Sequence, residues 1–116
     1  LKSSQFPGAP EEIDNLPDID YYNINRAAMV FRSLNHTLRQ LTIKTIHENK
    51  RITVTELCVR LRLEQSVASQ QLAILRKAGI VLTLRDGKFI YYSINYSRVK
   101  EINLCSKNLA GCEVSK

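Results

Sequence analysis

Residues 66–94, SVASQQLAILRKAGIVLTLRDGKFIYYSI, constrain the fold of this chain more than any other stretch. Ala68, Leu72 and Leu75 recur at helical spacing and predict a helix over about 65–78. Gly79 ends it, because glycine accepts the left-handed C′ position. Two β-rich runs follow, 81–85 and 88–94, with Asp86-Gly87 between them. That dipeptide signals a hairpin, since a type I′ turn needs positive φ at both central residues. A two-residue loop there pairs Arg85 with Lys88 and Leu84 with Phe89.

Upstream, the periodicity is helical again. Ile24, Ala27, Ala28, Phe31 and Leu34 mark a first helix over about 19–34, with Asp18 or Asp20 as its cap. A second helix is expected over 37–49, with Leu38, Leu41, Thr45 and Ile46 inward and Asn49-Lys50 as its stop. Thr53-Val54-Thr55-Glu56 fits a capping box that opens a third helix, whose buried stripe is Val54, Leu57 and Leu61. Residues 62–64 then turn into the helix at 65–78. A last helix over about 97–109 carries Val99, Ile102, Cys105 and Leu109 at helical spacing. The expected fold class is α+β, mainly α, in the order α-α-α-α-β-β-α. This is a winged helix-turn-helix with a two-stranded wing. Residues 1–17, with Pro7, Gly8, Pro10 and Pro17, read as a flexible acidic tail, 18–110 as one DNA-binding and dimerisation domain, and 111–116 as a C-terminal tail.

Charge is distributed unevenly. Residues 1–20 hold five acids and one base, a net of −4, while residues 21–116 hold 16 bases and 6 acids, a net of +10. So basic a body suits a polyanion. No apolar run approaches the roughly 20 residues of a membrane span, and SSQFPGAPEEID is not a basic-then-apolar secretory signal. Three cysteines, Cys58, Cys105 and Cys112, form no disulfide framework and point to a reducing, cytoplasmic setting.

Double-stranded DNA is therefore the expected partner. In a helix-turn-helix the second helix enters the major groove and presents its N-terminal residues to base edges. Those residues here are Gln65, Ser66, Ser69, Gln70 and, more laterally, Gln71. Gln pairs bidentately with adenine, and Ser serves base or phosphate. Arg76 is assigned to the DNA backbone, as are Arg85 and Lys88 at the wing tip. The bland alternatives are a merely solvated helix face and a basic guard on an exposed strand edge.

The run from about 28 to 94 resembles the ArsR/SmtB family of bacterial winged-helix repressors. Leu34-Asn35-His36-Thr37-Leu38-Arg39 is similar to that family's L-x-[DH]-P-x-R segment, with Thr37 in place of proline. Ser66-Val67-Ala68-Ser69-Gln70-Gln71-Leu72, Leu75 and Ala78-Gly79-Ile80-Val81 resemble its recognition helix. Arg85-Asp86-Gly87-Lys88 and Tyr91-Tyr92-Ser93-Ile94 resemble its wing. Glu64 departs from the small N-cap residue expected there. The resemblance implies a repressor acting as a homodimer on an inverted repeat, its first and last helices packed across a two-fold axis. The apolar stripes Ile24, Ala28, Phe31 and Val99, Ile102, Leu109 suit that interface, being more than one small domain needs to bury.

The family's inducer-release devices find little footing. Its helix-three metal site resembles E-L-C-V-C, whereas this chain has Glu56-Leu57-Cys58-Val59-Arg60, and one thiolate cannot hold a soft metal. Residues 95–110 contain neither His nor Asp, and His36 and His47 lie eleven residues apart. No metal, no cofactor and no identified inducer are expected. Cys58 and Cys105 read as small buried apolar residues. Cys105 and Cys112 are the candidate redox pair, although a continuous helix would separate them by roughly 10 Å along its axis. No nucleophile elbow, phosphate loop or catalytic pair is present, so an enzyme is not expected. The alternative reading is a winged-helix module for protein–protein assembly, which would place apolar anchors on the exposed face of the fourth helix.

Overall fold

The computed structural model describes residues 17–111 and has the expected element order. It comprises α1 (Tyr21–Leu34), α2 (Thr37–Asn49), α3 (Val54–Leu61), α4 (Gln65–Lys77), β1 (Val81–Asp86), β2 (Phe89–Ile94) and α5 (Tyr96–Gly111). The fold is a winged helix. Tail assignments at residues 1–16 and 112–116, and Cys112 with them, lie outside the described residues.

Local signals set the boundaries. Asp20 caps α1 by accepting from the Asn23 amide at 3.1 Å. The Thr53–Glu56 capping box forms in full, with the Glu56 amide donating to Thr53 Oγ1 at 3.2 Å and the Thr53 amide to Glu56 Oε1 at 3.0 Å. Arg62 closes α3 in the left-handed region at φ 55°. At the end of α4 the Gly79 amide donates to the Arg76 carbonyl and the Ile80 amide to the Leu75 carbonyl. Together these form a Schellman motif, and Leu75 and Ile80, both fully buried, supply its apolar contact.

The core gathers Ile46 from α2, Leu57 from α3, Ala68, Leu72 and Leu75 from α4, and Val81 and Ile94 from the roots of the wing. Ile52 joins it from the α2–α3 connection. One expectation for α2 fails here. Leu41 is exposed, and Thr42 is fully buried in its place. The reason is back-bonding. Thr42 Oγ1 donates to the Leu38 carbonyl at 2.8 Å and Thr45 Oγ1 to the Leu41 carbonyl at 2.9 Å, so both hydroxyls are satisfied inside the helix and their methyls can face the core.

The hairpin register also differs from expectation. Arg85 pairs with Ile90, Leu84 with Tyr91 and Asp86 with Phe89, leaving Gly87-Lys88 as the two-residue loop. Gly87 has φ +65°, whereas Lys88 is not in the positive-φ region, the arrangement of a type II′ turn. This confines positive φ to the glycine. It also avoids setting Arg85 directly opposite Lys88, a like-charge pair that the expected register required.

Candidate nucleic-acid interface

α4 presents one polar face to solvent. Gln65, Ser66, Ser69, Gln70, Arg76 and Lys77 are exposed along it, with the small Ala73 between them. Ala68, Leu72 and Leu75 fill the opposite face. No large apolar side chain stands on the exposed face. Glu64, the N-cap, makes no side-chain hydrogen bond to the helix, so the first-turn amides of α4 are not occupied by that cap.

Gln71 does not belong to this edge. It is only 7% exposed, and its Oε1 accepts from Arg39 Nη1 at 3.1 Å. The same guanidinium donates to the Ser33 carbonyl at 2.6 Å and the Arg32 carbonyl at 3.5 Å. Arg39 thus satisfies C-terminal carbonyls of α1 and grips α4 from behind. The guanidinium is therefore engaged within the fold itself. The long-range partner is what sequence spacing could not reveal: Gln71 is turned inward by a residue 32 positions earlier.

The wing stands beside the polar face. Strand alternation puts Arg85 on the same face of the hairpin as Tyr92, Ile90 and Ile94. Tyr92 lines a shallow groove with Ser69, Ala73, Arg76 and Lys77 of α4. The Arg85 side is therefore the α4 side. Arg85 Nε donates to the Gly87 carbonyl at 3.3 Å, and Lys88 Nζ lies 5.8 Å from the centre of the Phe89 ring. Both cations sit at the tip and are exposed. The wing's root is sewn to the α2–α3 connection, where Ile52 and Tyr92 exchange backbone hydrogen bonds of 3.0 and 2.8 Å.

The end of α4 is held by α5, a link that sequence reasoning missed. Asn95 Nδ2 donates to the Gly79 carbonyl at 3.1 Å, and Arg98 Nε donates to the Ala78 carbonyl at 3.3 Å. Arg98 also pairs with Glu101 at 3.1 Å. His47, exposed on α2, contacts the start of α5 through a 2.7 Å hydrogen bond between Nδ1 and Tyr96 Oη.

The two outer helices bury little within the chain. Val30 and Ser33 are the buried residues of α1, and Ile102 is that of α5. Ile24 is 52% exposed and Leu109 67%, while Ala28, Phe31 and Val99 are half-buried. Leu104, not singled out from sequence, is also exposed. Ile102 departs from expectation: at 9% exposure it is spent on the chain's own core and has little surface left for a partner. Cys105 departs too, being exposed rather than buried, on the rim of a cleft with Ala27, Phe31 and Arg98. Cys58 is half-buried against the core. Among the described residues, no group of three or more His, Cys, Asp or Glu is placed to hold a metal, and no helix is long and apolar enough to cross a membrane.

Comparison with known proteins places this architecture. The family model described as bacterial regulatory protein, arsR family, matches residues 45–83, which run from the end of α2 into β1. The transcriptional repressor PagR of Bacillus anthracis is 31% identical over 84 residues, 72% of this chain and 84% of PagR. The transcriptional activator HlyU of Vibrio cholerae is 30% identical over 93 residues, 80% of this chain and 82% of HlyU. The crystal structure of NolR from Sinorhizobium fredii superposes with a TM-score of 0.65 at 26% identity, over 83% of this chain and 97% of NolR. The chain belongs to the ArsR family of transcriptional regulators, which are not enzymes.

Proposed function

We propose that this chain binds duplex DNA as a homodimer, reads an inverted repeat and acts in the cytoplasm as a repressor. α4 lies in the major groove with Gln65, Ser66, Ser69 and Gln70 toward base edges, and Arg76 on the backbone. The wing follows the backbone or adjacent minor groove with Arg85 and Lys88. The observation that carries this reading is the exposed face of α4, polar along its length and bordered through Tyr92 by the wing, whose exposed tip carries Arg85 and Lys88. A docking face for protein would carry large apolar anchors there, and this one has none.

The second copy covers α1 and α5 through Ile24, Ala28, Phe31, Val99 and Leu109, with only the edge of Ile102. Two such subunits set their reading helices about one DNA turn apart, roughly 34 Å. Repression is what the family resemblance implies, and PagR, a relative named as a repressor, supports it. The relatives include both a repressor and an activator by name, so the sign of regulation is tested with a reporter behind the bound site.

A salt titration decides the central point. Affinity for an operator duplex falls steeply with salt, each phosphate contact adding about 0.9 to the slope of log K against log salt. Ser69→Ala with Gln70→Ala removes preference for the operator over random duplex, whereas Arg85→Ala weakens both alike. Salt-insensitive binding, or equal losses from the two changes, contradicts the assignment.

A further inference from the structure

Arg51 lies in the connection between α2 and α3, outside every motif discussed above. Its guanidinium carbon stands 4.0 Å from the centre of the Tyr91 ring, and its Nη2 is 3.8 Å from Asp86 Oδ2. Tyr91 belongs to β2 and Asp86 to β1, and strand alternation puts both on the face of the hairpin opposite Arg85 and Tyr92. One side chain therefore spans both strands, on the side away from α4. The backbone aims it there. The Arg51 amide donates to the Asn49 carbonyl at 2.7 Å around Lys50, which has φ +66° and ψ −45°. This is a γ-turn, an uncommon conformation for a residue with a Cβ.

We propose that Arg51 is the back brace of the wing: by stacking on Tyr91 and reaching Asp86 it fixes how far Arg85 and Lys88 stand from the reading face of α4, which makes it a positioning residue for DNA binding. The proposal rests on the DNA reading above. The wing needs such a brace. Its backbone is anchored at Ile52–Tyr92, yet residues 84–90 beyond that point are all exposed, and a two-stranded hairpin is marginal by itself. Ile52 prevents the root from lifting but leaves the tip free to swing about it. Arg51 acts nearer the tip, and its planar group covers the ring where an ammonium would not.

The competing role for a half-exposed arginine is to hold a phosphate itself. Two readouts separate the roles in the full chain: amide hydrogen exchange of residues 84–90 without DNA, and affinity for duplexes that the wild type enriches from a random-sequence pool. Arg51→Ala and Tyr91→Leu are each expected to raise tip exchange about fivefold and weaken binding comparably, with the double variant no worse than either single. In an Arg85→Ala/Lys88→Ala background, Arg51→Ala is expected to change affinity no further, since the contacts it positions are gone. Unchanged tip exchange in Arg51→Ala overturns the brace. An undiminished loss of affinity in the Arg85→Ala/Lys88→Ala background overturns the positioning role in favour of direct phosphate contact. If Tyr91→Leu fails to fold, Arg51→Lys takes its place, retaining charge without the stack. Should the wild type enrich no duplex, the DNA reading and the positioning role fail together, while the exchange measurement still decides the brace.

Discussion

Removing the Arg39 side chain tests a polar residue that ties α1, α2 and α4 together. Arg39→Ala deletes hydrogen bonds to the Ser33 carbonyl at 2.6 Å and Gln71 Oε1 at 3.1 Å, and a long one to the Arg32 carbonyl at 3.5 Å. A hydrogen bond to a charged group contributes roughly 1.5–3 kcal/mol, and a buried acceptor left alone costs roughly 1–3 kcal/mol. Gln71 and Ser33 are both buried and lose their partner, whereas the Arg32 carbonyl is exposed and regains water. The net expectation is a loss of about 2–3 kcal/mol, or roughly 10–20 °C in Tm for a domain of this size. Urea and thermal unfolding at one fixed protein concentration measure it, because assembly would shift apparent stability with concentration. The informative comparison is Arg39→Ala with Gln71→Leu. If the cost comes from an orphaned amide, the double variant recovers about 1 kcal/mol over Arg39→Ala alone. A single-variant loss below about 0.5 kcal/mol, or a double variant no more stable than the single, refutes the clamp. Gln71→Leu should also leave operator preference intact, since Gln71 faces away from the reading edge.

Three further outcomes are expected. Thr53→Ala breaks the capping box of α3 and lowers unfolding free energy by about 1 kcal/mol in denaturant titrations. Lys50→Gly relieves positive φ and raises stability by about 1 kcal/mol; a loss would mean that the γ-turn carries no strain. Ile24→Asp with Leu109→Asp yields a folded monomer in sedimentation, with native circular dichroism and weakened operator binding, and an unchanged mass would remove these residues from the interface.

Much of this architecture was legible because it is encoded locally. The Thr53–Glu56 box, the Gly79 stop and the Asp20 cap each depend on residues within a few positions of one another, and each forms. The exposed polar face of α4 was legible for the same reason, since helical spacing alone sorts Ser66, Ser69 and Gln70 from Ala68 and Leu72. What escaped depends on distant partners or on exceptions to polarity. Gln71 is withdrawn by Arg39 across the fold. Thr42 is buried because its hydroxyl bonds within the helix, which a hydrophobicity pattern cannot register. The turn slid by one residue because confining positive φ to Gly87 and separating two cations outweighed the Asp-Gly preference. Ile102 was assigned outward because its stripe suits a partner equally well, and only three-dimensional packing shows that Val30 and its neighbours had already claimed it.

The hold of Asn95 and Arg98 on the carbonyls of Ala78 and Gly79, just past the end of α4, turns a helix end into one arm of a lever. In the proposed dimer α5 lies near the two-fold axis, and each reading face stands roughly 17 Å from that axis, half a DNA turn. A rotation of α5 by roughly 10° would then sweep the reading face through about 3 Å, close to the rise of one base pair. If the proposed dimer binds DNA, the range of half-site spacings it accepts would depend on the stiffness of two side chains remote from the bases.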